Sequence, residues 1–162
     1  MTKSAVESFF KKNILPSKGY IYCDIKREID FARSGKSSGE LLTALGLLNY
    51  TEFMGKLLLK NDGSYTKQFK SFFRLMGDEY EQMIDSREID VYQVFRSGLV
   101  QSYFVKNCDI KMIDDNYPCG IIIQPGGKYI FIVEKYFNDF MNACQTLYSD
   151  MLSDPDINLP SM

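Results

Sequence analysis

The sequence predicts a mainly α fold, a bundle of about five helices with one β-hairpin before the last helix. Two observations support this. Apolar residues recur at helical spacing through most of the chain. The one clear strand signal is residues 120–133, where two β-branched runs flank Pro125-Gly126-Gly127. We expect this hairpin to be the only β structure.

Composition is that of a soluble globular protein, with 162 residues, 45% apolar and 25% charged. This length fits one domain with a continuous core. We therefore expect a single helical domain at residues 1–152 and a flexible C-terminal tail at 153–162. The net charge of −2 excludes the global basic field of a dedicated nucleic-acid binder.

The charge is unevenly distributed. Residues 1–36 hold eight Lys or Arg against four Asp or Glu, whereas residues 136–162 hold four Asp and no Lys or Arg. One interpretation is an ordinary solvated surface. The other is a basic N-terminal face that meets phosphate or an acidic partner.

The chain has four cysteines and no histidine. Scattered thiols without a Cys-x-x-Cys pair give a zinc ion few ligands and are typical of a reducing cytoplasm.

The polar N-terminus lacks the apolar region of a signal peptide. Residues 41–59 are the most apolar segment, but Asn49, Glu52 and Lys56 favour a buried helix over a membrane span. We expect a cytoplasmic protein with no membrane partner, metal or cofactor.

The N-terminal half reads as three helices. Ser4 and Glu7 have capping-box spacing and open a helix to about residue 13, and residues 21–34 form a second. A further capping box, Ser37 to Glu40, opens the longest and most apolar helix, ending near residue 60. Gly46 and Gly55 lie inside this central helix, where each costs roughly 1 kcal/mol unless a close helix contact offsets it.

Three more helices are predicted in the C-terminal half. An aromatic helix covers about 65–84, and Asp85-Ser86 caps the next helix at 87–105. Residues 106–119 look irregular. The last helix spans about 135–152.

The helix at 87–105 carries the most informative motif, Arg96-Ser-Gly-Leu-Val-Gln101. It follows a small-residue-rich central helix (residues 43–55) and an aromatic stripe (69–73), and aromatics and Lys106 come after it. This order resembles the HEPN superfamily of small helical proteins, whose signature is Arg-x4-His and many of which are metal-independent ribonucleases. Gln101 stands at the histidine position.

The resemblance implies the chemistry that is missing. In the ribonucleases of that family a histidine handles the proton while the arginine holds the phosphate. Proton transfer of this kind contributes about 10²–10⁴-fold, and glutamine cannot supply it near pH 7. The resemblance therefore implies a catalytically degenerate protein that binds RNA or a nucleotide through Arg96, with Ser97 and Lys106 as further ligands.

The same helix predicts a homodimer. Five helical steps place Arg96 and Gln101 about 140° apart around the helix axis, which favours a site assembled in a cleft between two copies. A ring of apolar residues exceeds what one bundle contact covers: Tyr92, Phe95, Leu99, Tyr103 and Phe104.

Several alternatives stay open. Arg96 could simply pair with a nearby carboxylate, and the chain could be a helical protein–protein interaction module without a phosphate ligand. It could also be a weak metal-independent ribonuclease in which Tyr, Lys or Glu replaces histidine. Two further features have a functional and a plain interpretation: Pro125–Lys128 as an anion nest or a hairpin turn, and Asp109, Asp114 and Asp115 as a cation site or a solvated loop.

Overall fold

A computed structural model describes residues 2–36, 39–59, 62–86, 90–98 and 108–153. Within them the chain forms seven helices: α1 (Lys3–Asn13), α2 (Tyr20–Arg33), α3 (Glu40–Leu58), α4 (Tyr65–Arg74), α5 (Asp78–Asp85), a π-helix (Tyr92–Ser97) and α6 (Val133–Ser153). The same residues also contain three strands: β1 (Cys108–Lys111), β2 (Ile121–Gln124) and β3 (Lys128–Ile132). The mainly α fold is confirmed. The predicted tail beyond Ser153 lies outside the described residues.

The central position of α3 is also confirmed. It contacts α2, α4, the π-helix, β1 and α6. Its buried residues lie on several sides of the helix: Thr43, Ala44, Leu47, Leu48, Thr51, Met54, Gly55 and Leu57. A helix that is apolar around most of its circumference must be covered by neighbours, and this explains why the other elements surround it.

Gly55 allows α3 and α4 to approach closely. A Cβ atom placed on Gly55 would lie 1.7 Å from the backbone oxygen of Gln68 on α4, so no side chain fits there. Gly46 differs, because its Cβ would meet nothing nearer than Tyr50 at 3.8 Å. Of the two glycines inside α3, only Gly55 is required by helix packing.

The sheet contains the predicted hairpin and one strand more. β2 and β3 pair antiparallel, with Gln124 opposite Lys128. β1 pairs parallel to β3 on its other side, with Cys108 opposite Tyr129. The expectation that 120–133 is the only β structure is therefore wrong. A four-residue strand carries too little local pattern to predict, because its backbone partners come from a distant segment.

Several helix boundaries differ from the predicted ones. The N-cap of α1 is Thr2 rather than Ser4, and its hydroxyl accepts a hydrogen bond from the Ala5 N–H at 3.4 Å. The aromatic helix predicted at 65–84 is two helices. They are separated at Gly77, whose φ of 138° is incompatible with a continuous helix.

A partly buried polar chain joins α5, the sheet segment and α6. The backbone N–H of Gly120 donates to the Tyr80 hydroxyl at 2.9 Å, and Tyr80 donates to Asp139 Oδ2 at 2.5 Å. A second link connects α3 to α6 through the hydroxyls of Thr51 and Tyr136, 2.8 Å apart. These bonds satisfy polar groups that would otherwise be costly to bury.

No helix among the described residues combines the length and apolarity needed to cross a membrane.

The first prediction compares the two glycines of α3. Gly55→Ala should lower the free energy of unfolding by about 1–3 kcal/mol or more, because the new methyl group overlaps the Gln68 carbonyl. Gly46→Ala, the matched control, should raise it by about 0.5–1 kcal/mol through helix propensity alone. Urea denaturation of the three proteins measures both. Equal effects of the two substitutions would contradict the packing assigned to Gly55.

The second prediction concerns pH. Burial raises the pKa of the Asp139 carboxyl above its ordinary value of 3.8, against the opposing effect of hydrogen bonds from Tyr80 and Gly120. The folded protein therefore holds this proton more tightly than the unfolded chain. The resulting stability is present below pH 3.8 and is lost as pH rises through the raised pKa.

Asp139→Asn removes this titration and keeps an oxygen that can accept from Tyr80. The unfolding free energy of the wild type minus that of the variant should fall as pH rises from about 4 towards neutrality. Denaturant titrations at several pH values measure the difference. A difference that is constant or rises with pH would show that the Asp139 pKa is not raised.

Candidate functional site

Arg96 lies on a π-helix rather than on the α-helix predicted for 87–105. Before the first residue of the π-helix, the Asp90 side chain accepts a hydrogen bond from the Gln93 N–H at 3.4 Å. Asp85 and Ser86, predicted to cap this helix, instead lie at the C-terminal end of α5. Residues 87–89 and 99–107 lie outside the described part. A π turn closes hydrogen bonds over five residues, is rare, and is frequent at functional sites. Apolar periodicity over six residues does not distinguish it from an α turn.

The Arg96 guanidinium is held by the carboxylate of Glu52 on α3. Arg96 Nε donates to Glu52 Oε2 at 2.8 Å, and Nη2 donates to Oε1 at 3.3 Å. Both side chains are mostly covered, with 20% of Arg96 and 14% of Glu52 exposed. Two parallel bonds between a planar guanidinium and a carboxylate fix both charges in place.

Tyr92 completes the arrangement from one turn earlier on the π-helix. Its hydroxyl donates to Glu52 Oε2 at 3.3 Å, and its ring packs edge-on against Phe69 of α4 at 5.5 Å between centroids. Burial, and then the Glu52 charge, raise the pKa of the Tyr92 phenol. Tyr92 is therefore a hydrogen-bond donor at neutral pH rather than a base.

Arg96 and Glu52 form a pair that is fixed in position and carries almost no net charge. The positive charge of the guanidinium is balanced by one carboxylate, that of Glu52. Two of its five N–H groups are bonded to Glu52. The remaining N–H groups can still donate to an oxyanion, but a phosphate would have to compete with Glu52 for the positive charge.

The structure tests the other predicted ligands only in part. Ser97 is the last residue of the π-helix, but its side chain lies outside the described part of the structure. Gln101 and Lys106 also lie outside the described residues. The structure therefore describes Arg96 alone among the four predicted site residues, and adds Glu52 and Tyr92 to it.

The apolar ring predicted for a dimer is partly internal. Phe95 is fully buried and packs against Tyr129 and Phe131 of β3. Tyr92 is half-buried against Phe69. The other three members of the ring are outside the described residues. The two described members thus contribute to the core of one copy.

The three acidic residues predicted to share one irregular loop do not do so, because Asp109 lies on strand β1. Asp109, Asp114 and Asp115 pair with Lys128, Lys111 and Arg33 respectively. No group of acidic, cysteine or histidine side chains among the described residues is arranged to hold a metal ion. The segment 125–128 forms a hairpin turn, with Gly126 and Gly127 at positive φ.

The cysteines offer no activated nucleophile in the core. All four are free, and burial raises the pKa of Cys119, of Cys144 and of Cys108, the last to about 11. A thiol with a raised pKa is poorly populated as the reactive thiolate at neutral pH.

Glu52 is the residue that the motif alone does not reveal. It sits 44 positions before Arg96 on a helix that is otherwise mostly apolar. A carboxylate on such a helix needs a compensating donor, and that requirement is the sequence signal for it.

Comparison of the chain with models of protein families, with curated proteins and with solved structures found no match in any of the three.

The third prediction measures the Arg96–Glu52 pair by a double-mutant cycle. Arg96→Gln, Glu52→Gln and the double variant should give a coupling energy of about 1–3 kcal/mol in the free energy of unfolding, because both side chains are mostly covered. The exposed pair Arg74–Asp85, treated in the same way with Arg74→Gln and Asp85→Asn, should give about 0.2–1 kcal/mol. Equal coupling energies for the two pairs would show that Arg96 and Glu52 gain nothing from their covered position.

Proposed function

We propose that this chain is a HEPN-like helical protein without ribonuclease catalysis, and that it binds RNA or a nucleotide through the phosphate at Arg96. The resemblance of residues 43–55, 69–73 and 96–106 to that superfamily supports the family assignment. Gln101 at the histidine position supports the absence of catalysis, because glutamine carries no proton to transfer at neutral pH. The four free thiols fit a reducing compartment such as the cytoplasm.

The observation that carries the proposal is the fixed position of Arg96. The bidentate bond to Glu52 orders a long side chain in advance, so less conformational entropy is lost when a phosphate arrives. The π-helix under it is a geometry that is enriched at functional sites.

The second candidate is a helical protein–protein interaction module, in which the pair only joins the π-helix to α3. The balance of charge favours it, since Glu52 neutralises Arg96. A third candidate, a weak metal-independent ribonuclease, would rely on Tyr92 or Glu52 beside Arg96. The raised pKa of Tyr92 makes it a poor base.

A homodimer belongs to the proposal as the unit that would close a cleft around Arg96. Its support is the apolar ring of residues 92–104. That support is weaker than the sequence alone suggests, because Phe95 and Tyr92 pack within one copy. Light scattering at high micromolar protein decides the oligomeric state.

The fourth prediction compares removal of the positive charge of Arg96 with removal of the negative charge of Glu52. If RNA phosphate contacts Arg96, Arg96→Gln should weaken binding about tenfold through loss of a charge-assisted bond. Glu52→Gln should tighten binding about fivefold, because it removes a negative charge worth roughly 1 kcal/mol at 4 Å in water. Fluorescence anisotropy with a labelled single-stranded RNA, at several salt concentrations and with chelator present, measures both.

The matched control is Arg33→Gln, which also removes an arginine from carboxylate partners, Glu134 and Asp115. It should leave the affinity within about twofold of wild type, and the RNA should be recovered intact. Absence of RNA binding, or a weakening by Glu52→Gln as large as that by Arg96→Gln, would support the interaction module instead. RNA cleavage abolished by Arg96→Gln would support the ribonuclease.

A further inference from the structure

A second candidate site lies between α1, α2 and α3, and it includes neither Arg96 nor Glu52. An open groove of about 480 Å³ separates these helices, and we name it the aromatic groove. It is lined by Phe9, Asn13, Tyr20, Ile21, Asn49, Tyr50 and Phe53. Pockets for small ligands typically have about 300–1,000 Å³, so the groove has room for one flat ring system with its substituents.

The walls of the groove suit a planar aromatic ligand. Phe9 and Ile21 are buried beneath it, whereas Tyr20, the first residue of α2, stands 61% exposed beside it. Tyr50 and Phe53 are half-buried on α3. Nucleobases stack on accessible aromatic side chains, and here one exposed and two half-buried rings stand around an apolar floor.

Two carboxamides give the groove polar contacts. Asn13 and Asn49 each donate one N–H to a carbonyl of their own helix, Phe9 and Leu45, at 2.8 Å. Among the described residues no donor reaches either carboxamide oxygen. These oxygens and the second N–H of each amide are available to the edge of a base, which presents both donors and acceptors.

A basic depression adjoins the groove, because Tyr20 lines both. Its other lining residues are Ser8, Lys11, Lys12 and Lys18, and its volume is about 420 Å³. Lys11 pairs with Glu7, whereas Lys12 and Lys18 have no ion pair within the described part of the chain. Burial, and then the negative charge of Asp24, raise the pKa of the Tyr50 phenol in the groove; Asp24 is itself paired with Arg27 at 3.7 Å.

We propose that the aromatic groove and the adjoining lysines form a binding site for a nucleobase carrying a 5′-phosphate, with the base stacked beside Tyr20 and the phosphate on Lys12 and Lys18. The combination of an aromatic floor with uncompensated lysines favours this ligand over a quaternary ammonium compound, which aromatic side chains also bind but lysines repel. A free nucleotide and the 5′ end of a single-stranded RNA share this chemistry. The site is independent of the function proposed for Arg96, so either can fail alone.

The fifth prediction is measured by isothermal titration calorimetry of the full chain with AMP, adenosine and ribose 5-phosphate. AMP should bind more tightly than either fragment. Tyr20→Ala should weaken AMP binding about fivefold to 150-fold, the range expected for loss of one stacked base. Tyr65→Ala, which removes a tyrosine that is 68% exposed on α4, is the matched control and should change nothing. In the Arg96→Gln background, which removes the other proposed phosphate site, Tyr20→Ala should weaken AMP binding by the same factor.

A 5′-phosphorylated six-nucleotide RNA separates the two sources of the ligand. Binding much tighter than that of AMP identifies an RNA end, and equal binding identifies a free nucleotide; both support the site. For the RNA, the double variant Lys12→Gln and Lys18→Gln should lower the slope of log affinity against log salt by about 0.7 per lysine. Lys128→Gln is the control on the sheet.

Three results would overturn the proposal. The first is the absence of AMP binding. The second is equal binding of AMP, ribose 5-phosphate and inorganic phosphate that Tyr20→Ala leaves intact, because this indicates only attraction of anions to lysines. The third is binding of choline in place of AMP, which identifies an aromatic site for ammonium groups.

Discussion

The contact between the α3 backbone at Gly55 and the carbonyl oxygen of Gln68 is the constraint on which the arrangement of the helices depends. It brings α4 against α3 without an intervening side chain, and this sets the surface that receives the π-helix. That surface has two parts. Glu52 of α3 accepts from Tyr92 and Arg96, and Phe69 of α4 packs against the ring of Tyr92. Because both helices supply a contact to the same π-helix, an error in their spacing would move the candidate site as well as the core.

The ion pair of Arg96 and Glu52 links the fold to the function proposed for Arg96. A mostly covered pair brings modest net stability, since the cost of removing two charges from water offsets much of their attraction. It also fixes position, because two parallel bonds hold the guanidinium in the plane of the carboxylate. A phosphate at this place competes with Glu52, so the carboxylate would tune the affinity of the site as well as hold the arginine.

The parts of the fold that the sequence predicts are those set by local pattern. The apolar circumference of α3 and the Pro-Gly-Gly turn between β2 and β3 follow from residues close together in the chain. The sequence gives Gly46 and Gly55 the same expectation, and only Gln68 of α4 distinguishes them. The features that the sequence does not predict depend on partners that are distant in the chain. β1 is a strand only because β3 lies beside it, and Glu52 meets a partner 44 residues away. The aromatic groove is missed for the same reason, since three helices supply its walls. The lysines of the adjoining depression, by contrast, belong to a charge imbalance of residues 1–36 that is visible in the sequence.

The most direct test of the central claim, that Glu52 holds Arg96, is nitrogen-15 NMR of the arginine side chains. In the wild type the Nε–H of Arg96 should exchange with water more slowly than that of the exposed Arg74, because it is bonded to Glu52 Oε2 and mostly covered. In Glu52→Gln the slow exchange should be largely lost, since a neutral amide oxygen holds the guanidinium less firmly. A wild-type Arg96 Nε–H that exchanges as fast as that of Arg74, or one unaffected by Glu52→Gln, would contradict the account.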